Sequence, residues 1–138
     1  MRLLLISLLS TLLVSQSFAL TSQEVDQQIV SLKESIKAKK DVKDRIASLS
    51  QFRDSLHARI EALNASTKPM DRKQEFHIRG LNTFIQMMEP SSLQSKDGCE
   101  QVEAQIELAD HGTNMDRADS SEATESLRIL RLICGEPT

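Results

Sequence analysis

Residues 99–134 read CEQVEAQIELADHGTNMDRADSSEATESLRILRLIC and decide the C-terminal fold of this chain. The stretch begins and ends with the only two cysteines of the sequence. Apolar residues recur at helical spacing on both sides of a polar centre: Cys99, Val102, Ile106 and Ala109 before it, and Ala123, Leu127, Leu130 and Cys134 after it. Antiparallel packing of two such helices brings both cysteines to one end, where a disulfide can join them. We therefore predict a disulfide-closed helical hairpin.

A structural disulfide is favoured over a reactive or metal-binding cysteine pair. The CxxC spacing of redox and zinc sites is absent, and no neighbour in the sequence would activate a thiolate. Loop-closure entropy over this separation is worth roughly 3–4 kcal/mol. Asp97 and Asp119 each stand three residues before a glutamate, which predicts them as the N-caps of the two helices.

The first 19 residues, MRLLLISLLSTLLVSQSFA, have the layout of a secretory signal peptide. Arg2 precedes the apolar run Leu3–Val14, and small residues at positions 17 and 19 form a cleavage site. The run is shorter than the ~20 residues that a transmembrane helix needs. We expect a secreted or periplasmic chain that begins at Leu20, in a compartment that permits disulfides. An uncleaved membrane anchor is the alternative.

The composition excludes several classes of partner. The net charge is −3, and it becomes −4 once Arg2, the only charged residue of the leader, is removed. No basic patch is present, so we expect no binding to nucleic acid. The chain has no Trp or Tyr, and flat aromatic rings are the usual platform for sugars and nucleobases.

The N-terminal half predicts a long helix. A capping-box pattern stands at Thr21 to Glu24, and no Gly or Pro follows before Pro69. Two apolar stripes recur at helical spacing: Val25, Ile29, Leu32 and Ile36, then Val42, Ile46, Leu49, Leu56, Ile60 and Leu63. The stripes are out of phase, and Arg53 interrupts the second one. We expect one continuous, locally distorted helix about 65 Å long. The alternative is a break within residues 37–41.

A second helix follows the polar turn at residues 64–69 and ends before Pro90. Its stripe of Ile78, Leu81, Ile85 and Met88 matches residues 42–63 in length, so an antiparallel hairpin is expected. Gly80 would allow this helix to approach the first one closely. The predicted fold is all-α: a signal peptide over 1–19, a long helical hairpin over 20–90, a linker over 91–98 and the disulfide-stapled hairpin over 99–138, packed on the same domain.

The sequence contains no catalytic motif. The three histidines, His57, His77 and His111, stand apart from one another, and residues 110–116 lack the ligand spacing of a calcium loop. No nucleophile motif of the G-x-S-x-G type occurs. We expect no enzymatic activity, no cofactor and no metal.

Two surface features have more than one interpretation. The lysines at positions 37, 39, 40 and 43 would suit an anionic surface, but Asp41 and Asp44 favour a solvated face. Asn64-Ala65-Ser66 is an N-glycosylation sequon, which matters only in a eukaryotic host, and is otherwise simply a turn.

The predicted function is protein–protein interaction. The first stripe, Val25, Ile29, Leu32 and Ile36, has no partner in the predicted hairpin, because the first helix is longer than the second. Such a stripe binds a partner helix or a second copy of the chain, and it is the candidate binding surface. One alternative is a membrane-tethered coiled-coil envelope protein of the lysis or bridging type, which requires an uncleaved leader. The other is a periplasmic helical chaperone.

Overall fold

The structure, a computed structural model, describes residues 22–112 and 120–135. Within these ranges it contains five α-helices, one 3₁₀ helix and no strand, which confirms the all-α prediction. The helices are α1 (Ser22–Lys37), α2 (Val42–Ala65), α3 (Arg72–Gln86), α4 (Lys96–His111) and α5 (Ser121–Cys134), and the 3₁₀ helix (Pro90–Gln94) precedes α4. The predicted signal peptide over residues 1–19 lies outside the described residues.

All five helices contribute to one apolar core, with α5 at its centre. Helix α5 packs on α1, α2, α3 and α4. Its Ile129, Leu130 and Ile133 are almost completely buried. A helix that is buried around most of its circumference occupies the middle of a bundle. The C-terminal hairpin therefore shares its core with the N-terminal helices.

The first helical segment is broken, so the expected continuous helix is wrong. Helix α1 ends at Lys37 and α2 begins at Val42, with the Asp41 carboxylate accepting a hydrogen bond from the Lys43 amide at 3.1 Å. The break has a physical reason: a straight helix would leave one of the two out-of-phase stripes in water. A turn lets α1 and α2 pack on each other and bury the first stripe and most of the second in the same core, although Val42 stays exposed and Leu63 is only partly buried.

Arg45 completes this turn. Its guanidinium donates to the carbonyl oxygens of Lys39 at 2.8 Å and Lys40 at 3.1 Å, which the break leaves without helical partners. It also donates to the Ile133 carbonyl at 3.3 Å, near the C-terminal end of α5. One side chain thus holds the α1–α2 turn against the central helix.

Helices α2 and α3 pack on each other as the predicted hairpin. Arg53, which interrupts the second stripe, donates to the carbonyl oxygens of Ile85 at 3.3 Å and Gln86 at 2.9 Å. The last carbonyls of a helix lack intrahelical partners, and a guanidinium is a good donor for them. Arg53, the polar residue that interrupts the stripe, therefore caps the C-terminal end of α3.

The expected linker over residues 91–98 is wrong in its extent. Residues 90–94 form the 3₁₀ helix, whose Leu93 is buried, and α4 begins at Lys96. The N-cap of α4 is Ser95, whose hydroxyl accepts from the Gly98 amide at 3.0 Å, so Asp97 lies inside the helix. A Cβ atom on Gly98 would lie 1.8 Å from the Ser92 carbonyl oxygen, so only glycine permits the 3₁₀ helix to pack this closely.

The C-terminal hairpin contains the predicted disulfide. Cys99 and Cys134 are bonded, with their Cα atoms 6.3 Å apart. The bond joins the N-terminal turn of α4 to the last residue of α5. The N-cap of α5 is Ser120, which accepts from the Ala123 amide at 3.1 Å, and the Asp119 expected in this role lies outside the described residues.

Candidate functional site

The first apolar stripe belongs to the protein's own core. Val25, Ile29, Leu32 and Ile36 are 0%, 2%, 6% and 0% exposed. Helix α1 packs on α2, α3 and α5, because the turn after Lys37 directs the chain back on itself. The inference that this stripe is unpaired is therefore wrong, and the stripe offers no free surface to a partner in this fold.

A different surface is open between the same two helices. A shallow, wide-open groove, with about 690 Å³ of space that includes open solvent, runs along the contact of α1 with α2. We call it the α1–α2 groove. It is lined by Gln28, Ser31, Leu32 and Ser35 from α1, by Ser48, Gln51, Phe52 and Ser55 from α2, and by Lys39 from the turn.

The two walls of the α1–α2 groove have the same residue spacing. Residues 28, 31, 32 and 35 of α1 and residues 48, 51, 52 and 55 of α2 both follow the i, i+3, i+4, i+7 pattern of a single helix face. The walls meet near the turn, where the hydroxyl oxygens of Ser35 and Ser48 are 3.4 Å apart. Each wall thus presents one apolar residue between short or uncharged polar side chains.

Among the residues that the structure describes, Lys39 is the only charged one that lines the α1–α2 groove. Its ammonium donates to the Ser48 hydroxyl at 2.8 Å, and that hydroxyl donates to the Asp44 carbonyl at 3.2 Å. Because the Ser48 hydroxyl donates its own proton to a backbone carbonyl, its oxygen is oriented to accept from the Lys39 ammonium. The charge is therefore fixed at the turn end of the groove.

A second polar feature lies between three helices. His77 of α3 contacts Glu122 of α5 through Nδ1 at 2.8 Å and Asp26 of α1 through Nε2 at 2.9 Å. We call these three residues the His77 bridge. Both partners are carboxylates, which accept hydrogen bonds when they are ionised, so the two contacts favour the ring form in which both nitrogens carry a proton.

The environment of the His77 bridge favours the charged ring. Burial alone would lower the pKa of His77, but the hydrogen bonds and negative charges of Asp26 and Glu122 outweigh it and raise the pKa above 6.5. Glu122 is 8% exposed, whereas the Asp26 side chain is 57% exposed. The bridge therefore joins a buried carboxylate to a solvated one through a single cation.

Gly80 provides the space for Glu122. A Cβ atom at position 80 would lie 3.1 Å from Glu122 Cγ, which is a tight contact. The sequence suggested that this glycine would face the first helix, but the glycine lies against a side chain of α5. The reason is that α5 occupies the centre of the bundle and packs closely on α3.

Both ring nitrogens of His77 contact carboxylates of the protein itself. Among the described residues, no group of three or more His, Cys, Asp or Glu side chains is placed to hold a metal ion. His57 pairs with Glu61 at 3.1 Å on the exposed face of α2, and His111 lies exposed at the end of α4.

Neither feature was found from the sequence. The two groove walls do carry a sequence signal, because a row of Ser and Gln runs beside each apolar stripe. The His77 bridge carries none, since its partners lie 51 and 45 residues away along the chain. Within the described residues, no helix combines the length and hydrophobicity needed to cross a membrane.

No protein-family model, curated protein or solved structure matches this chain. The function is therefore inferred from the residues and geometry of the protein itself.

Proposed function

We propose that this protein is a secreted or periplasmic, non-catalytic binding protein that holds an α-helix of another protein in its α1–α2 groove. The observation that carries the proposal is the pair of matched walls, each at i, i+3, i+4, i+7 spacing on its own helix. A groove between two helices can bind a third helix, and the contacting residues then recur at this spacing. The leader-like residues 1–19 and the Cys99–Cys134 disulfide support the extracytoplasmic location.

The composition of the walls suits a helix that approaches closely. The four serines are short, so a partner backbone can come near, and they lose less rotamer entropy on ordering than long side chains do. Eight of the nine lining residues are uncharged, and depletion of charge is typical of interface centres. Leu32 and Phe52 lie at the floor of the groove and are only 6% and 8% exposed, so a partner would contact mainly the polar side chains of the walls.

Lys39 determines where an acidic residue of the partner helix would lie. Its ammonium is held at the turn end of the groove by Ser48, and it is the only charge that the lining residues offer. A carboxylate on the partner would complement this charge and set the register of the bound helix. The expected ligand is therefore a helix with small, uncharged polar residues along one face and an acidic residue at the end that meets Lys39.

Site-specific photocrosslinking tests the proposal. A photoreactive residue replaces Gln51 in the groove, and a matched variant carries it at Gln105, an exposed residue of α4. Both full-length chains are expressed in the native host. We expect one crosslinked protein from the Gln51 variant, recovered from the periplasm or medium, and none from the Gln105 variant. The partner helix, once purified, should bind at least tenfold more weakly to Ser55→Trp than to Gln105→Trp.

Three results would contradict the proposal. Equal crosslinking at Gln51 and Gln105 would remove the groove as the binding surface, and so would full affinity of the Ser55→Trp variant. A crosslinked homodimer would assign the groove to a second copy of the chain instead of another protein.

A further inference from the structure

We propose that the His77 bridge is a pH-sensitive latch that seats the N-terminal half of α1 and thereby regulates the α1–α2 groove. The regulatory part of this inference rests on the proposed function, whereas the latch itself does not. The bridge lies where it can act on the groove: Asp26 precedes Gln28, the first residue of the groove wall on α1, by two positions.

The three bridge residues come from three different helices, so the bridge is a tertiary connection. Asp26 belongs to α1, His77 to α3 and Glu122 to α5. Helix α1 is also joined to α5 further along by the ion pair between Lys33 and Glu125. Loss of the Asp26 contact would therefore remove the polar link between the first turns of α1 and α3, and leave Val25 and Ile29 in the core to hold these turns by apolar packing alone.

When the His77 ring loses a proton, the hydrogen bond to Asp26 is the one that is lost. A neutral imidazole has one N–H, so it donates to only one of its two carboxylate partners. The Glu122 side chain beside Gly80 is only 11% exposed and has little access to water as a replacement, whereas the Asp26 side chain is 57% exposed and is readily hydrated. The neutral ring therefore keeps Glu122 and releases Asp26.

Other charged groups on the helices of this core form ion pairs of their own. On α3, Glu75 pairs with Arg79 at 3.0 Å, and between α1 and α5 Lys33 pairs with Glu125. On α2, Arg53 pairs with Glu89 and His57 with Glu61. Burial lowers the pKa of His77, and Asp26 and Glu122 are the charged groups that raise it. Within the described part of the chain, His77 is thus the only cation that joins these two carboxylates.

The direction of the pH response follows from the raised pKa. A group whose pKa is higher in the folded protein stabilises the fold fully below its unfolded pKa of ~6.5, and this stabilisation is lost as the pH rises through the folded pKa. The latch is therefore closed in acid and opens towards alkaline pH. A partner helix that binds the open form must order the start of α1, which weakens its affinity.

Hydrogen exchange of the full chain between pH 5.5 and 9 tests the latch without any partner. After correction for intrinsic exchange rates, we expect the protection of residues 22–32 to fall several-fold as the pH rises, while the protection of α4 stays constant. His77→Gln should remove this pH dependence, and the matched His57→Gln should leave it intact. If His77→Gln fails to fold, Asp26→Asn, a change at a mostly exposed side chain, gives the same test.

The outcomes separate the latch from the groove. Protection of residues 22–32 that does not change with pH, or that still changes in His77→Gln, overturns the latch whatever binds the groove. A pH-dependent latch combined with partner affinity that is constant from pH 5.5 to 9 overturns its regulatory role. We expect the affinity to fall several-fold over this range in the wild type and to stay constant in His77→Gln.

Discussion

At the residue scale, the position of the Glu122 side chain depends on the absence of a side chain at Gly80. Glycine in a helix costs about 1 kcal/mol relative to alanine, so its presence in the middle of α3 needs a reason. The reason is the 3.1 Å approach between the Cβ position of residue 80 and Glu122 Cγ. The missing methyl group lets Glu122 reach His77.

The variant Gly80→Ala tests this dependence. The added methyl group should push Glu122 away from His77, which weakens a contact that raises the pKa of His77. We expect this pKa to fall towards 6.5, while the free energy of unfolding changes by less than about 1 kcal/mol because the gain in helix propensity offsets the strain. An NMR titration of the histidine rings measures the pKa, with His57 as the internal control. An unchanged pKa of His77 would show that Gly80 has no part in placing Glu122.

At the element scale, the break between α1 and α2 depends on a single guanidinium. Arg45 donates to three backbone carbonyls, two in the turn and one in α5. A helix end without partners for its carbonyls is costly inside a protein, and hydrogen bonds from a charged donor are worth ~1.5–3 kcal/mol. The turn is therefore held by a side chain from the first turn of the helix that follows it.

The variant Arg45→Met keeps the aliphatic length of the side chain and removes the donors. We expect it to lower the free energy of unfolding by about 2 kcal/mol, as measured by urea denaturation. Arg128→Met is the matched control, because the Arg128 side chain is 63% exposed and pairs with Glu125 on the surface, and we expect a change below about 0.5 kcal/mol there. Equal effects of the two substitutions would contradict the role of Arg45 in the turn.

At the scale of the whole molecule, the disulfide closes the hairpin formed by α4 and the central helix α5. Because α5 packs on every other α-helix, the bond also restrains the helix on which the common core depends. Its stabilisation acts mainly by limiting the unfolded chain, and the separation of 35 residues corresponds to roughly 3–4 kcal/mol.

The double variant Cys99→Ser, Cys134→Ser should remain helical by circular dichroism and lose roughly 3–4 kcal/mol of unfolding free energy. Urea denaturation with and without a thiol reductant measures the loss. The reductant should destabilise the wild type to a similar extent and leave the double variant unchanged. A wild type that is insensitive to the reductant and reacts fully with a thiol alkylator would show that the bond is absent from the native protein.

Sequence periodicity was sufficient for the helices and the disulfide, because both follow from local spacing. The stripe from Cys99 to Ala109 and the one from Ala123 to Cys134 each mark one helix, and their ends determine which cysteines can meet. The same reasoning failed at residues 37–41. These residues have no strong helix breaker, so their own propensities favoured a continuous helix.

The sequence by itself determined the helical class, the positions of most helices and the pairing of the cysteines, since each depends on residues within one or two turns or on the two ends of one hairpin. Only the tertiary structure decided that the first stripe is buried, that an uncharged groove opens between α1 and α2, and that Asp26 and Glu122 meet at His77. Burial is a collective property: most residues of both out-of-phase stripes become buried only because the chain turns between them. Contacts over 45 and 51 residues follow from that turn and leave no trace in local spacing.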